Sequence, residues 1–484
     1  MGTSAADATF GAAIRSLFML AVRVLLLLLS LAVAAPAAAA AATPPPVYGP
    51  PVALANPQAG VSHLTAQWTA SPAGSFAVTW YAQGAPGNDG YLFGARGPFA
   101  SGATPTRLLG PAPQTTTFGG YPWPAVGVRS TGAVVVAARI GTAPGARLGT
   151  SAGAITAPLP AARSASVPGT VQDAVLGMRA DGGAVIAAST CSTPGCGRRT
   201  ISLVTRSNTG QVGHPVTITG GGDARPVVIA VNARGDAFIA WVRDNRVQGR
   251  LRTAGGTVGA IASLGPAENR VAPIALTISA QRRVVVAWEH QIVHEGSVVS
   301  SDAVFYVAVS ADGRRFAGAH KLETQTDRVR TPGPAVVTTQ GSDGATWVGW
   351  TGRTAGRFVV RAVRVNSAGP GSITTPSTTT TADAAIRDIA GGERHSLAVV
   401  WVQTPRGATP QDTAVVASVQ RSEYAPWSAP ETVAGTTGVF ADAQQPVVAI
   451  EPGTRTALFA WTQNPTPAGG IQGEQPVVRT RTLP

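Results

Sequence analysis

The stretch "ARGDAFIAWV", Ala233 to Val242, is the segment on which the fold is read. It contains Arg234-Gly235-Asp236, the tripeptide that many cell-adhesion receptors recognise. Other stretches of the chain give it a different meaning. "SPAGSFAVTWYA" ends its apolar run on Trp80, "STGAVVVAAR" on Ala138, "ADGGAVIAAS" on Ala188 and "AQRRVVVAWE" on Trp288. "SDGATWVGWT" ends on Trp350, "ERHSLAVVWV" on Trp401 and "GTRTALFAWT" on Trp461. With Trp241 these make eight anchors, 47 to 62 residues apart, and six of the ten tryptophans share this one phase. A fixed phase at such a period marks a repeat architecture.

Each unit has the same internal order. An apolar strand comes first, often after proline, as in "RPVVIAVN", "APIALTIS", "GPAVVTTQ" and "QPVVAIEP". A turn follows, then the strand that ends on the anchor. A third strand, as in "VFYVAVSADG", and in several units a short fourth, as in "GHPVTITG", complete the unit. Runs such as Val284-Val285-Val286 do not alternate, which suits strands covered on both faces. Four short antiparallel strands repeated around a ring describe an all-β fold, the β-propeller, with the anchors packed between blades. The count gives eight blades. Seven with one aberrant unit is the alternative, and two β-sandwich domains, which would not share one phase, are the runner-up.

The Arg-Gly-Asp tripeptide therefore occupies the place of "TGA", "DGG", "QRR" and "DGA" in other units. Tight turns select glycine beside Asp or Asn because they often demand a positive φ. The tripeptide reads as a turn, not as an adhesion signal.

The last unit runs out of sequence at Pro484 after "QPVVRTR", with no fourth strand of its own. An open edge would leave backbone donors and acceptors unpaired. The apolar run Val52 to Ala55 precedes the first innermost strand and can supply the missing strand, pairing around Val477 to Thr480. Residues 52–484 are thus the propeller.

Residues 1–42 read as a signal peptide. Arg15 and Arg23 precede the 12-residue apolar run "VLLLLLSLAVAA", and cleavage is expected among Ala38 to Ala42. Met19 begins a signal of ordinary length and is an alternative start. Residues 43–51, within "TPPPVYGPP", form a Pro-rich leader. A secreted or extracytoplasmic protein without a membrane span after cleavage is expected. Cys191 and Cys196, in "CSTPGCG", are the only cysteines, and a disulfide across the turn fits an oxidising compartment.

The net charge is +13, and 36 of the 37 cations are arginine, Lys321 being the lone lysine. With abundant Ala, Gly, Pro, Thr and Val this reflects GC-rich codons more than a partner. No run of arginines with interleaved aromatics occurs, and nucleic-acid binding is not expected. No Gly-rich phosphate loop or Gly-x-Ser-x-Gly elbow stands out, and no cofactor is expected.

The turn "SADGRRF", Ser310 to Phe316, resembles the Asp-box of sialidase-type propellers, Ser-x-Asp-x-Gly-x-x-aromatic, with one residue missing between Asp312 and Gly313. "RSNTGQV" from Arg206 and "RSEYAPW" from Arg421 are weaker echoes. The mature chain is similar at repeat level to secreted bacterial propellers with sialidase-like or BNR-like repeats. In that group Asp-boxes are structural. No Arg-(Ile/Leu)-Pro occurs, and the arginine triad and Tyr-Glu pair of sialidases find no matching positions. The resemblance therefore implies a non-catalytic member of that group.

Ligands of propellers meet the ring where innermost strands begin. The candidates there are Trp123, Asp173, Arg225, Arg270, Arg330, Arg387, Asp388 and Asp442, with His63, Asn269 and Gln444 nearby. Guanidinium groups suit carboxylate- or sulfate-bearing saccharides. Asp173, Asp388 and Asp442 could include a glycosidase pair. His290 and His294 have metal-chelating spacing only if a loop curls them together, since in a strand four residues span about 13 Å; no metal is expected. "SITTPSTTTTAD", Ser372 to Asp383, reads as a solvated connection. The reading is a monomeric binding or scaffold module for an extracellular glycan or cell-envelope polymer. The alternative is a sialidase-like glycoside hydrolase.

Overall fold

The computed structural model describes residues 48–49, 51–56, 59–69, 75–83, 89–98, 105–113, 125–129, 131–140, 146–192, 198–219, 222–224, 227–267, 273–294, 300–328, 336–341, 343–378, 381–405, 413–435, 446–452, 454–463 and 475–483. They form eight antiparallel sheets of four strands each. The innermost strands are Ala59–Thr69, Ala125–Val128, Thr170–Met178, Val227–Val231, Ile274–Ile278, Val336–Gln340, Ala382–Gly391 and Val447–Ile450, which number blades 1 to 8. Each innermost strand contacts those of the blades on either side, and the eighth contacts the first. The ring is closed, and the protein is an eight-bladed β-propeller. Among the described residues the only helical element is one 3-10 turn, Glu393–His395.

Second strands carry the core. All eight residues of Ala184–Cys191 are buried, as are the first six of Ala237–Arg243. The sheet is sandwiched between neighbouring blades, so apolar side chains serve both of its faces. Trp80, Trp241, Trp288, Trp350, Trp401 and Trp461 are all at most 1% exposed. Each packs on the preceding blade. Trp241 meets Val185, Ala187, Ile201 and Leu203 of blade 3. Trp288 meets Phe238 and Leu251 of blade 4. Trp80 of blade 1 lies with Leu458, Ala460 and Val478 of blade 8, across the junction of the two chain ends.

That junction is made as the sequence suggests. Val52–Ala53 is the outer strand of blade 8, with Val52 opposite Val478 and Ala53 opposite Val477. The Leu54 N–H donates to Pro476 O at 2.8 Å, and the Leu54 side chain is buried against Trp80. Farther out, the Gly49 N–H donates to Thr480 O, and the Arg479 guanidinium lies 4.5 Å from the Tyr48 ring centroid.

The Arg-Gly-Asp segment is the turn between the first two strands of blade 4. Gly235 has φ +87, a value that glycine adopts without strain. Asp236 is fully buried. It accepts hydrogen bonds from Arg282 Nε (2.9 Å) and Nη2 (3.1 Å) in the equivalent turn of blade 5, and from Ala254 N (2.9 Å). A receptor cannot reach that carboxylate. In blade 5 the place of Gly235 is taken by Arg282 itself, at φ +67. A strained non-glycine backbone is held there by its own ion pair.

The "SADGRRF" turn is also built by its aspartate. Asp312 Oδ1 accepts from Arg314 N (2.9 Å), Arg315 N (3.1 Å) and Ser310 Oγ (3.1 Å). These donors hold its carboxyl below the usual range. Phe316 then reaches back to Phe238 of blade 4, with ring centroids 5.6 Å apart.

Candidate functional site

Of the eight expected ligand-facing residues, Asp173, Arg387 and Asp388 fall among the described residues. Trp123, Arg225, Arg270, Arg330 and Asp442 lie outside them, as do Asn269 and Gln444. The three that are described share a local device. The innermost strand of blade 3 bulges between Val171 and Asp173, and that of blade 7 between Ile386 and Asp388. A bulge inserts one residue and re-aims the side chain that follows. Each aspartate turns back to accept from the next backbone N–H, Ala174 N for Asp173 and Ile389 N for Asp388, both at 2.8 Å.

Beyond that likeness the two differ. The second oxygen of Asp388 accepts from Val448 N of blade 8 at 2.9 Å, so this carboxylate staples two innermost strands together. Burial pushes its carboxyl up to about 6, against the pull of both backbone donors. Asp173 belongs to an exposed residue, yet desolvation still pushes its carboxyl above the usual range, opposed by Ala174 N and by the charge of Arg199. Arg387, the bulged residue itself, is half-buried beside Asp388. The structure therefore places Arg387 and Asp388 side by side on the innermost strand of blade 7, against the first strand of blade 8. It leaves Asp173 in blade 3, four blades away around the ring.

The second strand of blade 5 stays extended from Val284 to His294, with Gln291 opposite Ala303 and His294 opposite Ser300. The two histidines are not curled together. Among the described residues no group of three or more His, Cys, Asp or Glu could hold a metal. Cys191 ends the second strand of blade 3, and Cys196 lies outside the described residues. No described helix is long and apolar enough to cross a membrane.

Sequence reading missed the polar groups between blades. Glu323, in the outer strand of blade 5, accepts from Trp350 Nε1 (2.8 Å) and Arg353 N (2.9 Å) of blade 6, with Arg361 at 3.7 Å. Every charge there has a partner, which marks a structural joint. Tyr48, Glu431, Arg479 and Arg481 form another where the chain ends meet. Arg481, 2% exposed, pairs with Glu431, whose carboxyl burial holds above its usual range.

No family model matches the chain, and no curated protein is similar to it. Solved structures that it resembles include a polysaccharide lyase, Uly1, at 11% identity, covering 89% of this chain and 91% of that one, with a TM-score of 0.44. An α-L-arabinanase of Penicillium chrysogenum has 12% identity, coverage of 90% and 99%, and a TM-score of 0.39. A protein of unknown function from Dyadobacter fermentans has 13% identity, coverage of 75% and 94%, and a TM-score of 0.38. Likeness at this level assigns no activity to the chain.

Proposed function

We propose that this chain is an exported, monomeric propeller serving as a binding or scaffold module for an anionic extracellular glycan. The ligand would meet the ring at the end where the innermost strands begin. The observation that carries this reading over catalysis is the placement of Asp388. One oxygen is bonded to Ile389 N and the other to Val448 N, so the carboxylate serves the ring. A glycosidase needs two carboxyl groups about 5 to 9.5 Å apart around one bond. Asp173 and Asp388 stand on opposite blades of the ring, and each is bonded to the backbone N–H that follows it. Export follows from residues 1–42, and the Cys191–Cys196 bridge belongs to the same expectation.

One observation favours the second reading, a sialidase-like glycoside hydrolase. A carboxyl held at about 6 is poised to donate a proton near neutral pH. The test is retention of the mature protein on acidic and neutral polysaccharides, with release of reducing ends measured in parallel. Binding predicts retention on acidic polymers without reducing ends. Replacing Arg225, Arg270, Arg330 and Arg387 together by Ala should sharply weaken retention and leave the melting temperature nearly unchanged. No retention by the wild type removes the binding reading, and reducing ends that vanish in Asp388→Asn establish the hydrolase.

A further inference from the structure

At most described blade interfaces the arginines have carboxylate partners. Arg179 pairs with Asp181 at 2.9 Å, Arg282 with Asp236, Arg364 with Glu423, and Arg481 with Glu431. His395, at the junction of blades 6 and 7, meets Asp343 at 2.9 Å. Arg252, bonded to Thr253 O, and Arg283, bonded to Gly344 O and Thr346 Oγ1, are exceptions with no carboxylate partner among the described residues. The interface between blades 2 and 3 is another, in which two unpaired guanidinium groups meet across one glycine. Arg163, in the outer strand of blade 2, reaches across to donate to Gly210 O at 3.3 Å, in the turn after the third strand of blade 3. Arg206 ends that third strand and lies against the same turn. A Cβ placed on Gly210 would stand 3.2 Å from Arg206 Nη2 and 3.9 Å from Arg163 Cζ. Two guanidinium groups thus flank one point.

Neither has a carboxylate partner among the described residues. Arg163 is exposed, but Arg206 is only 7% exposed. Its Nε is buried with no acceptor, and its one hydrogen bond, from Nη1 to Ser207 O, is long at 3.3 Å. Burial, and after it the charge of Arg163, push Arg206 below its usual range. At the rim of the same interface Arg129 donates to Ala180 O, again with no carboxylate. Asp181, in the turn between the first two strands of blade 3, is already paired with Arg179. A desolvated guanidinium facing a like charge is costly unless an anion joins them. An oxyanion between the two would take the orphaned donors and relieve the repulsion through charge-assisted, bidentate hydrogen bonds.

We propose that Arg206 and Arg163, in the cleft between blades 2 and 3, form an oxyanion subsite for the sulfate or carboxylate groups of an acidic polysaccharide. The site is separate from the Asp388 end of the ring. It takes its ligand class from the proposed function but draws on different residues, so titration with inorganic sulfate tests it apart from that reading. Gly210, at φ +87, presents no side chain between the two guanidinium groups.

The experiment is calorimetric titration of the full mature protein with inorganic sulfate, against chloride of matched ionic strength, followed by dextran sulfate and neutral dextran. Four proteins are compared: wild type, Arg206→Met, Arg163→Ala, and Arg314→Ala as an equal loss of charge at an exposed arginine elsewhere. Wild type and Arg314→Ala should bind sulfate alike, and dextran sulfate but not dextran should bind more tightly. Arg206→Met and Arg163→Ala should each weaken sulfate binding at least about tenfold, the loss of a charge-assisted hydrogen bond. In chloride, Arg206→Met should melt no lower than wild type, because it removes a buried donor that has no acceptor. The proposal is overturned if wild type does not bind sulfate, if the two dyad variants bind it undiminished, or if Arg314→Ala loses as much. A melting temperature of Arg206→Met well below wild type in chloride would also overturn it, since the guanidinium would then be structural.

Discussion

Among the described residues six blade interfaces of this ring are filled by tryptophan and two are not, and the contrast shows how a propeller absorbs variation in its repeat. At 3/4, 4/5, 5/6, 6/7, 7/8 and 8/1 a buried indole from the second strand of one blade presses on the blade before it. Blades 2 and 3 carry Ala138 and Ala188 at that place. The lost volume is restored from another strand. In the 2/3 interface Leu176 and Met178, on the innermost strand of blade 3, lean toward blade 2, where Gly127 receives them. A Cβ on Gly127 would stand 2.5 Å from Met178 Cγ and 2.6 Å from Leu176 Cδ1. At 1/2 Gly94, on the third strand of blade 1, receives Ile155 of blade 2, with Leu108 of its own blade beside it. Protein interiors hold a nearly constant density, so a small residue in one strand calls for a large one opposite. Among the described residues these two interfaces show no indole N–H like that of Trp288, which donates to Pro266 O at 2.8 Å.

The largest effect is expected where an indole interface is also the closure of the ring. Removing residues 48–56 takes away the outer strand of blade 8 and exposes the edge of Gln475–Thr482. It also removes Leu54, which is 1% exposed and packed with Trp80. The loss should exceed the roughly 5 kcal/mol ceiling of a single core truncation. Light scattering during thermal unfolding should reveal early aggregation. A shortened protein that melts with the parent would mean that the eighth blade does not need this strand.

Next come the interfaces themselves. Each of Trp80, Trp241, Trp288, Trp350, Trp401 and Trp461 replaced by Ala should cost about 3 to 5 kcal/mol in denaturant unfolding. Gly127→Ala should cost about 1 to 3 kcal/mol by overpacking, and Met178→Ala combined with it should restore part of the loss. Non-additivity of that pair is the sharper result, because it measures the exchange of volume directly. Six tryptophan variants within a few tenths of wild type would break the comparison.

The anchors and the closing strand were legible in the sequence because they are periodic. A residue buried once per repeat writes its phase eight times, and a missing strand at one end leaves an unclaimed apolar run at the other. The contacts that decide charge and chemistry were not legible in this way. Arg282 meets Asp236 across 46 residues, Arg163 meets Gly210 across 47, and Asp388 meets Val448 N across 60. Each separation is close to one repeat, so the period says where to look but not which polar side chains turn toward each other. The bulges before Asp173 and Asp388 are single insertions in otherwise regular strands, and "VQDAV" and "IRDIA" carry no glycine to announce them. Of the sequence-chosen site, the residue types at the start of blades 3 and 7 were readable. The use of Asp388 as a staple between blades was not, since it depends on the backbone of the neighbouring blade.

The smallest expected effect lies inside an indole interface and asks whether polar joints add to it. The 7/8 junction contains both Trp461 and the Asp388 bond to Val448 N. The ordinary aspartate carboxyl titrates near about 3.9, and in the folded protein burial raises this one to about 6. A raised carboxyl means that the folded state holds more protons than the unfolded state between those two values. Stability contributed by this group must therefore fall as pH rises through that window, and stay level above it. Asp236 has the opposite sign, because its hydrogen bonds to Arg282, Ala254 and Asn232 hold it below the usual range. Its contribution is present above the unfolded value and is lost as pH falls through the lower folded one. Denaturant unfolding measured from pH 3 to pH 8 should separate them. Asp388→Asn should remove the decline between about pH 4 and pH 6, while leaving the acid loss due to Asp236 in place. Asp236→Asn should do the reverse. If Asp388→Asn leaves the profile between these values unchanged, the carboxylate is not desolvated at the blade junction, and the indole alone accounts for that interface.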